Sequence, residues 1–491
     1  MNKYNRNKHM KIMSLMNEAA IVLPNLIQEG RISEIPQLLA DCQDVAIAFG
    51  AQIEQLYGMQ TKTVAALEEY CNALYEVSVT MNKESFVMLA EAMDKIQLTY
   101  QMEFPEKREV IFMPYKASMW DSLESVWMAA KEDENCEVYV VPIPYYDRNK
   151  DHSFGEFHYE GGLFPKYVPI THYEEYDMDL RRPDVVYIHN PYDDNNYVTS
   201  VAPSYYSTEI KKYTDTLVYI PYFVVDEERN LHRVEHYACL SGVYHADKVV
   251  VQSERIKKMY IDTLSKKVED MPRRFWEEKI LGLGSPKYDA VHSHSIEISE
   301  IPEEWKELIG DKKVILYNTH LGLLMAEKYK VFLKKLRRVI NLFKNRDDVV
   351  LLWRPHPLMI STAKAMNPVA VNEYLDIVNE YCEKKYGIYD DTADMHRAIA
   401  ISDAYYGSPS SMFPLYKSTG KLVLRHDIYA ETEMERKYIE HEKDNSTNDL
   451  QKEFLEENIS LSDYLAIVVR ESKVSTKNES QNIGAIIHSN I

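Results

Sequence analysis

Cysteine is scarce in this chain. Five residues of 491 (Cys42, Cys71, Cys136, Cys239 and Cys382) are odd in number, widely spaced and free of any Cys-x-x-Cys pair. That excludes a disulfide framework and fits reduced thiols in a cytoplasm. Positive charge is also in deficit. Lys and Arg number 57 against 77 Asp and Glu, a formal net charge of −20. No nucleic acid is therefore expected as the main partner, because phosphate backbones are held by surplus Lys and Arg. A phosphorylated small molecule needs only a local basic pocket and stays compatible. No run approaches the roughly 18 to 20 apolar residues of a membrane span. The segment from Met13 to Ile27 is interrupted by Asn17, Glu18, Pro24 and Asn25, too polar for the core of a signal peptide. The expected location is cytoplasmic. Lys3, Arg6, Lys8 and Lys11 leave two readings of the start: a solvated end, or a peripheral contact with the anionic inner face of the cell membrane. No internal repeat or low-complexity block is present.

What is present changes period along the chain. Residues 1–105 read as helix, with apolar residues three and four apart at Ile47, Phe49, Ile53 and Leu56, then Leu67, Tyr70, Leu74 and Val77. Asn82 caps a second stretch after an interruption at Thr80–Met81. We expect a helical bundle or hairpin serving a homo-oligomer or a partner contact. From Glu109 short apolar runs alternate with helical patterns: Val110–Met113, Glu137–Val141, Asp184–Ile188, Thr216–Ile220 and Lys248–Val251. The alternation restarts at Lys313–Tyr317, Val349–Trp353, Ala400–Tyr405 and Leu422–Leu424. Strands separated by helices signal parallel sheets with crossover helices. The expected architecture is α/β, with Rossmann-like doubly wound domains at 106–295 and 296–470. A helical segment (1–105) precedes them, a polar frayed tail (471–491) follows, and a polar link from His292 to Glu304 joins the two domains.

Four constellations carry candidate chemistry. Val349–Trp353 delivers Arg354-Pro355-His356-Pro357 at a strand's carboxyl end, where open α/β sheets bind ligands. An arginine fork matches phosphate oxygens, and a histidine can donate to a diphosphate or protonate a leaving phosphate. The run ending at Tyr406 is followed by Gly407-Ser408-Pro409-Ser410-Ser411, whose serines and free N–H groups suit an anion at a helix start. An ordinary helix cap is the plain alternative. Gly284-Ser285-Pro286-Lys287 offers close backbone approach and a point charge, or just a turn. Asp403 and the pair Asp390–Asp391 are candidates for ribose hydroxyls, or solvated loop carboxylates. In the first domain, Lys116, Ser118 and Asp121 lie on the acceptor side between a strand and a helix, Ser118 or Asp121 beginning that helix and Lys116 facing an anionic acceptor, while His189 ends another strand as a candidate base. His232-Arg233-Val234-Glu235-His236 matches the H-x-x-E-H zinc pattern. With no third ligand identifiable, it reads as a surface helix, and no metal is assigned.

The ordered set Gly284–Asp289, Val314–Tyr317, Arg354-Pro355-His356-Pro357 and Ser402–Ser411 resembles the CDP-glycerol glycerophosphotransferase family, which builds the glycerol-phosphate linkages of teichoic acids in the cell wall. The likeness covers about residues 240–430 well and 110–240 loosely. It implies a GT-B fold that holds CDP-glycerol mainly in the second domain and a polymer or lipid-linked acceptor in the first. It needs no cofactor beyond the donor substrate. By resemblance, His356 and Arg354 contact the donor diphosphate and Ser410 and Ser411 its phosphates. The family's His-Gly pair is absent: the matching strand reads Leu217–Phe223 without histidine, which leaves His189 and His320 as nearest candidates for the base. A nucleotide-sugar transferase on the same scaffold, or a catalytically silent assembly protein, are the alternatives.

Overall fold

The structure, a computed structural model, describes residues 1, 3–58, 60–149, 151–227, 231–293, 301–320, 322–325, 329–357, 359–392, 394–408, 410–425, 434–442, 452–470 and 482–491. Helices α1 (Lys3–Gln28), α2 (Ile35–Tyr57), α3 (Lys62–Thr80) and α4 (Lys83–Glu103) form the amino-terminal segment. Their apolar faces meet in one core that includes Leu23, Phe49, Ile53, Tyr70, Val77, Ile96 and Tyr100. Asn82 caps α4 through a reciprocal box with Ser85. Ile47 and Leu56, which the spacing also assigned to the buried stripe, face outward. By length and hydropathy α1 would suffice to cross a membrane, contrary to the expectation that no segment does; a quarter of its most apolar window is buried. The chain start is tied to the body where Lys107 N–H donates to Met1 O at 2.9 Å.

Among the described residues nine strands follow: β1 (Arg108–Met113), β2 (Cys136–Val140), β3 (Tyr145–Arg148), β4 (Phe154–His158), β5 (Val185–Ile188), β6 (Thr199–Val201), β7 (Thr216–Tyr219), β8 (Lys248–Val250) and β9 (Ile280–Leu281). Six make a parallel sheet in the order β2-β1-β5-β7-β8-β9. The others form a small antiparallel sheet, β4-β3-β6, that the sequence reading did not separate. The second half contributes β10 (Lys313–Thr319), β11 (Val349–Pro355), β12 (Ile388–Tyr389), β13 (Ala404–Gly407), β14 (Leu422–Arg425), β15 (Met434–Glu442) and β16 (Lys452–Ser460). They are ordered β12-β11-β10-β13-β14-β15-β16, parallel as far as β14. Each parallel sheet has an apolar core on both faces, which explains the continuous apolar strands. The fold is α/β and GT-B-like: two Rossmann-like doubly wound domains preceded by a helical segment.

Two local expectations change. The run read as a strand from Ala400 is helix from Met395 to Ile401, started by Asp394, whose carboxylate accepts from His396 N and Arg397 N. The strand begins only at Ala404. The tail also does not simply fray. Residues Ile483–Asn490 are a helix on the first domain, with Ile487 in its core and Ile483 and Ile491 packed beside it. Asp289 caps that helix, accepting from Ile483 N at 3.1 Å and Gly484 N at 2.8 Å.

Candidate functional site

Strand order locates the crevices. In the second sheet the chain winds outward from β10 in one direction to β11 and β12 and in the other to β13, so the switch point lies between β10 and β13. Ligands in open α/β sheets bind outside the carboxyl ends of the strands at such a point. Asn318 stands there. Its carbonyl accepts from Ser408 N–H (3.0 Å), its amide donates to Arg354 O (3.1 Å), and its Oδ1 accepts from Ser410 Oγ (2.8 Å) and Tyr405 OH (3.3 Å). His356 N–H donates to Thr319 O at 3.0 Å. One asparagine thus joins the Arg354–His356 strand end to the Gly407–Ser411 loop. The converging loops expected from the sequence are adjacent, through a residue to which that reading gave no role.

His320 follows β10. Its Nδ1 accepts from Gly322 N–H at 3.0 Å, so in the neutral ring Nε2 carries the proton and donates. Burial, then the charge of Arg233, then His356 hold its pKa below the ordinary value. Arg233 comes from the first domain's helix Leu231–Ala238. His356 is likewise lowered, by burial and then by Arg354. Two neutral imidazoles therefore stand at this crevice, with the charge of Arg233 within electrostatic reach of His320. Arg233 was read only as part of H-x-x-E-H. Glu235 and His236 of that pattern are exposed on the helix, and the side chain of His232, like Pro409, lies outside the described residues.

Other predicted residues are placed differently. Arg354 is 2% exposed; it forms an ion pair with Asp390 and donates from Nη2 to Thr392 O at 2.7 Å. Its charge lies beneath the crevice rather than open to a ligand, and Asp390 is its counter-ion rather than a ribose contact. Asp403 is a correction. It accepts from Val314 N at 2.9 Å and Lys313 Nζ at 3.1 Å, at the amino edge of the sheet. Ser408 is buried, Ser410 accepts from Met412 N at 3.2 Å, and Ser411 is exposed at the start of the seven-residue helix Met412–Ser418. Gly284, at φ +109, and buried Ser285 border a cavity of about 10 Å³, room for about one water and no nucleotide.

In the first sheet the switch point lies between β1 and β5, where Asp121 and His189 arrive. His189 is fully buried. Its Nε2 accepts from Tyr115 N–H at 3.1 Å, and its Nδ1 lies 3.0 Å from Ser122 Oγ. Burial lowers its pKa to about 3. With both nitrogens engaged and no route to a substrate, it is a packing histidine, which corrects its assignment as a base. Asp121 pairs within its own domain and across to the other. Its Oδ2 lies 2.5 Å from Lys287 Nζ and 2.9 Å from His396 Nε2. Burial would raise this carboxyl, but Lys287 and His396 outweigh it and bring it to about 2. Its Oδ1 is buried and has no hydrogen-bond partner among the described residues. Lys287 is thus a counter-ion at the domain junction rather than a phosphate ligand. Lys116 lies over the ring of Tyr145 at 4.8 Å, its pKa lowered by burial, and Ser118 is exposed.

No family model matches the chain, and no curated protein sequence matches it. Solved structures of similar overall shape include S. aureus MnaA with UDP, at 12% identity over 64% of this chain and 78% of that one, TM-score 0.40. The UDP-GlcNAc 2-epimerase of Neisseria meningitidis bound to UDP-GlcNAc has 12% identity over 65% and 82%, TM-score 0.41. A variant of the wall teichoic acid polymerase TagF has 14% identity over 73% and 78%, TM-score 0.36.

Proposed function

We propose that the chain is a transferase that moves a glycerol-phosphate or similar polyol-phosphate unit from a CDP-activated donor to a hydroxyl of a surface-polymer precursor. The observation that carries this reading is the Asn318-centred crevice at the second sheet's switch point, with His320 and His356 beside it and the charge of Arg233 felt at His320. A diphosphate placed there meets the Nε2–H of His320 and the guanidinium of Arg233, and its charge is neutralised without a metal. The acceptor hydroxyl approaches from the first domain; buried Asp121, the counter-ion of Lys287 and partner of His396, takes no proton from it. His356, neutral at pH 7, is the group of suitable basicity. The hydroxyl oxygen bonds to the phosphorus carrying glycerol, the bond from that phosphorus to the bridging oxygen breaks, and CMP leaves with the electron pair. Positioning and charge stabilisation supply most of the acceleration.

The sealing of His189 and the missing His-Gly favour a second reading, a nucleotide-binding assembly protein without catalysis. Two measurements decide. CDP-glycerol and CMP, but not UDP- or GDP-sugars, raise the melting temperature if the donor assignment holds; the reverse order makes this a sugar transferase. CMP release with a polymer primer, lost in His356→Ala, rejects the silent reading, and its absence in the wild type rejects the transferase.

A further inference from the structure

The turn between the helix Glu124–Glu132 and β2, far along the chain from the carboxyl-terminal helix, meets that helix in a cluster unrelated to the cleft. We infer that Asp133, Cys136 and His488 form a binding site for one zinc-class divalent cation that fastens the C-terminal helix to the first α/β domain. Asp133 Oδ2 lies 3.0 Å from His488 Nε2 and 3.6 Å from Cys136 Sγ, and Sγ lies 4.0 Å from Nε2. Around a tetrahedral zinc with bonds of about 2.0 to 2.3 Å, neighbouring ligand atoms stand about 3.4 to 3.5 Å apart. The three observed edges straddle that spacing, so a cation needs sub-ångström adjustments only.

The surroundings are built around these atoms. Asp133 Oδ1 accepts from Asn135 N (2.9 Å) and Nδ2 (3.1 Å), which leaves Oδ2 aimed at the cluster, as outer hydrogen bonds orient metal ligands. Cys136 N–H donates to Asp133 O at 3.0 Å and fixes the two ligands on one turn. His488 is held by the helix that Asp289 caps, and Gly484 lets that helix approach closely, since a Cβ there would sit 2.2 Å from the Ser125 carbonyl. A thiolate, an imidazole and a carboxylate suit zinc better than magnesium or calcium. The side chain of Asp133 is one-third exposed, so water can take a fourth position. In the free protein, burial and then the Asp133 charge push the Cys136 thiol up to about 11. Cation binding releases that proton, and the thiolate and carboxylate then balance the two positive charges. A second cluster, Asp147, Glu156 and His158, lies on the surface without a thiol and serves as a control.

The test uses chelator-treated full-length protein. Titrated with Co²⁺, it should bind about one equivalent and develop the near-ultraviolet thiolate-to-cobalt band of Cys–metal sites. Zn²⁺ should displace the cobalt and raise the melting temperature. Cys136→Ser should abolish the band, and His488→Asn should weaken zinc by more than the roughly tenfold that altering an outer hydrogen bond to a ligand gives. Both variants should keep the wild-type far-ultraviolet circular dichroism, and His158→Asn should bind as the wild type does. A wild-type protein with no thiolate band, a band that persists in Cys136→Ser, or uptake lost only in His158→Asn would each overturn the assignment.

Discussion

Replacing Asp121 by asparagine keeps the side chain's shape and removes its charge. Lys287, whose side chain is 4% exposed, is then left as a desolvated ammonium without its counter-ion. Two routes give the size of the effect. The folded carboxyl titrates at about 2 against 3.8, which at about 1.36 kcal/mol per pH unit is about 2–3 kcal/mol. Breaking a buried ion pair from one side costs about 3–5 kcal/mol. Asp121→Asn should therefore lose about 2–5 kcal/mol at pH 7. The sign with pH is fixed as well. A carboxyl depressed by folding stabilises above its unfolded pKa of about 3.9, and that stability is lost as pH falls through about 2. The gap between wild type and variant should hold from pH 7 to about 5 and narrow only below about 4. Lys287→Met should be costly alone, yet Asp121→Asn with Lys287→Met should be less harmful than the sum of the two, because no charge is stranded. Urea denaturation followed by tryptophan fluorescence reads this, with Trp120 beside the pair. Losses additive to within about 0.5 kcal/mol would refute a coupled buried ion pair at Asp121 and Lys287.

Asn318→Ala removes the hub of the second crevice; a loss of about 2–3 kcal/mol is expected from the unmet Tyr405, Ser410 and Arg354 groups, together with loss of nucleotide-induced thermal stabilisation in a melting assay. Gly484→Ala drives a methyl into the Ser125 carbonyl and should release the C-terminal helix, seen as faster amide exchange over residues 483–490. His189 stays neutral down to about 3 while the unfolded chain takes the proton near pH 6.5. The wild type should therefore lose up to about 1.4 kcal/mol per pH unit from this group on acidification below 6.5. His189→Asn should flatten that slope in urea midpoints at pH 7 and 5. His320 and His356 lie below their ordinary pKa, so a diphosphate should draw protons into the crevice. CMP and CDP should bind more tightly at pH 5.5 than at 7, with proton uptake measurable by calorimetry in two buffers, while transfer slows.

Most of the central strands of both sheets could be read in the sequence because burial makes them apolar runs; the two-residue β9 and β12 and the antiparallel β15 and β16 could not. Nor could the short antiparallel sheet. Phe154–His158 mixes exposed and half-buried residues without a clean alternation, and five residues separate strand from loop poorly. Met395–Ile401 shows the same ambiguity from the other side: the Ala398–Ile401 letters suit a strand as well as this helix, and the Asp394 cap tells them apart. The carboxyl-edge rule placed His356, Ser410 and Asp121 beyond strand carboxyl ends, where they stand, since a run's direction reveals its edge. It failed for Asp403, which begins β13 instead of ending it. Asn318 was missed because its role depends on contacts with residues up to 92 positions away, and Arg233 because its significance lies in a neighbour on another domain.

Those two omissions share a cause that bears on mechanism. Each half of the chain contributes something the other half's crevice lacks: Arg233 from the first domain acts on His320 of the second, and His396 from the second is bonded to Asp121 of the first. Neither switch point is electrostatically complete alone. A diphosphate bound only to the second domain would meet two neutral imidazoles, because Arg354 is already paired with Asp390. In the proposed mechanism the positive charge that neutralises the leaving nucleotide is Arg233, from the first domain. Donor binding and domain closure are therefore one event in the proposed mechanism. Arg233→Met should lower transfer and weaken CMP binding while leaving the urea midpoint within about 0.5 kcal/mol, as for an exposed side chain. If Arg233→Met transfers at the wild-type rate, the cleft does not close on the donor in this way.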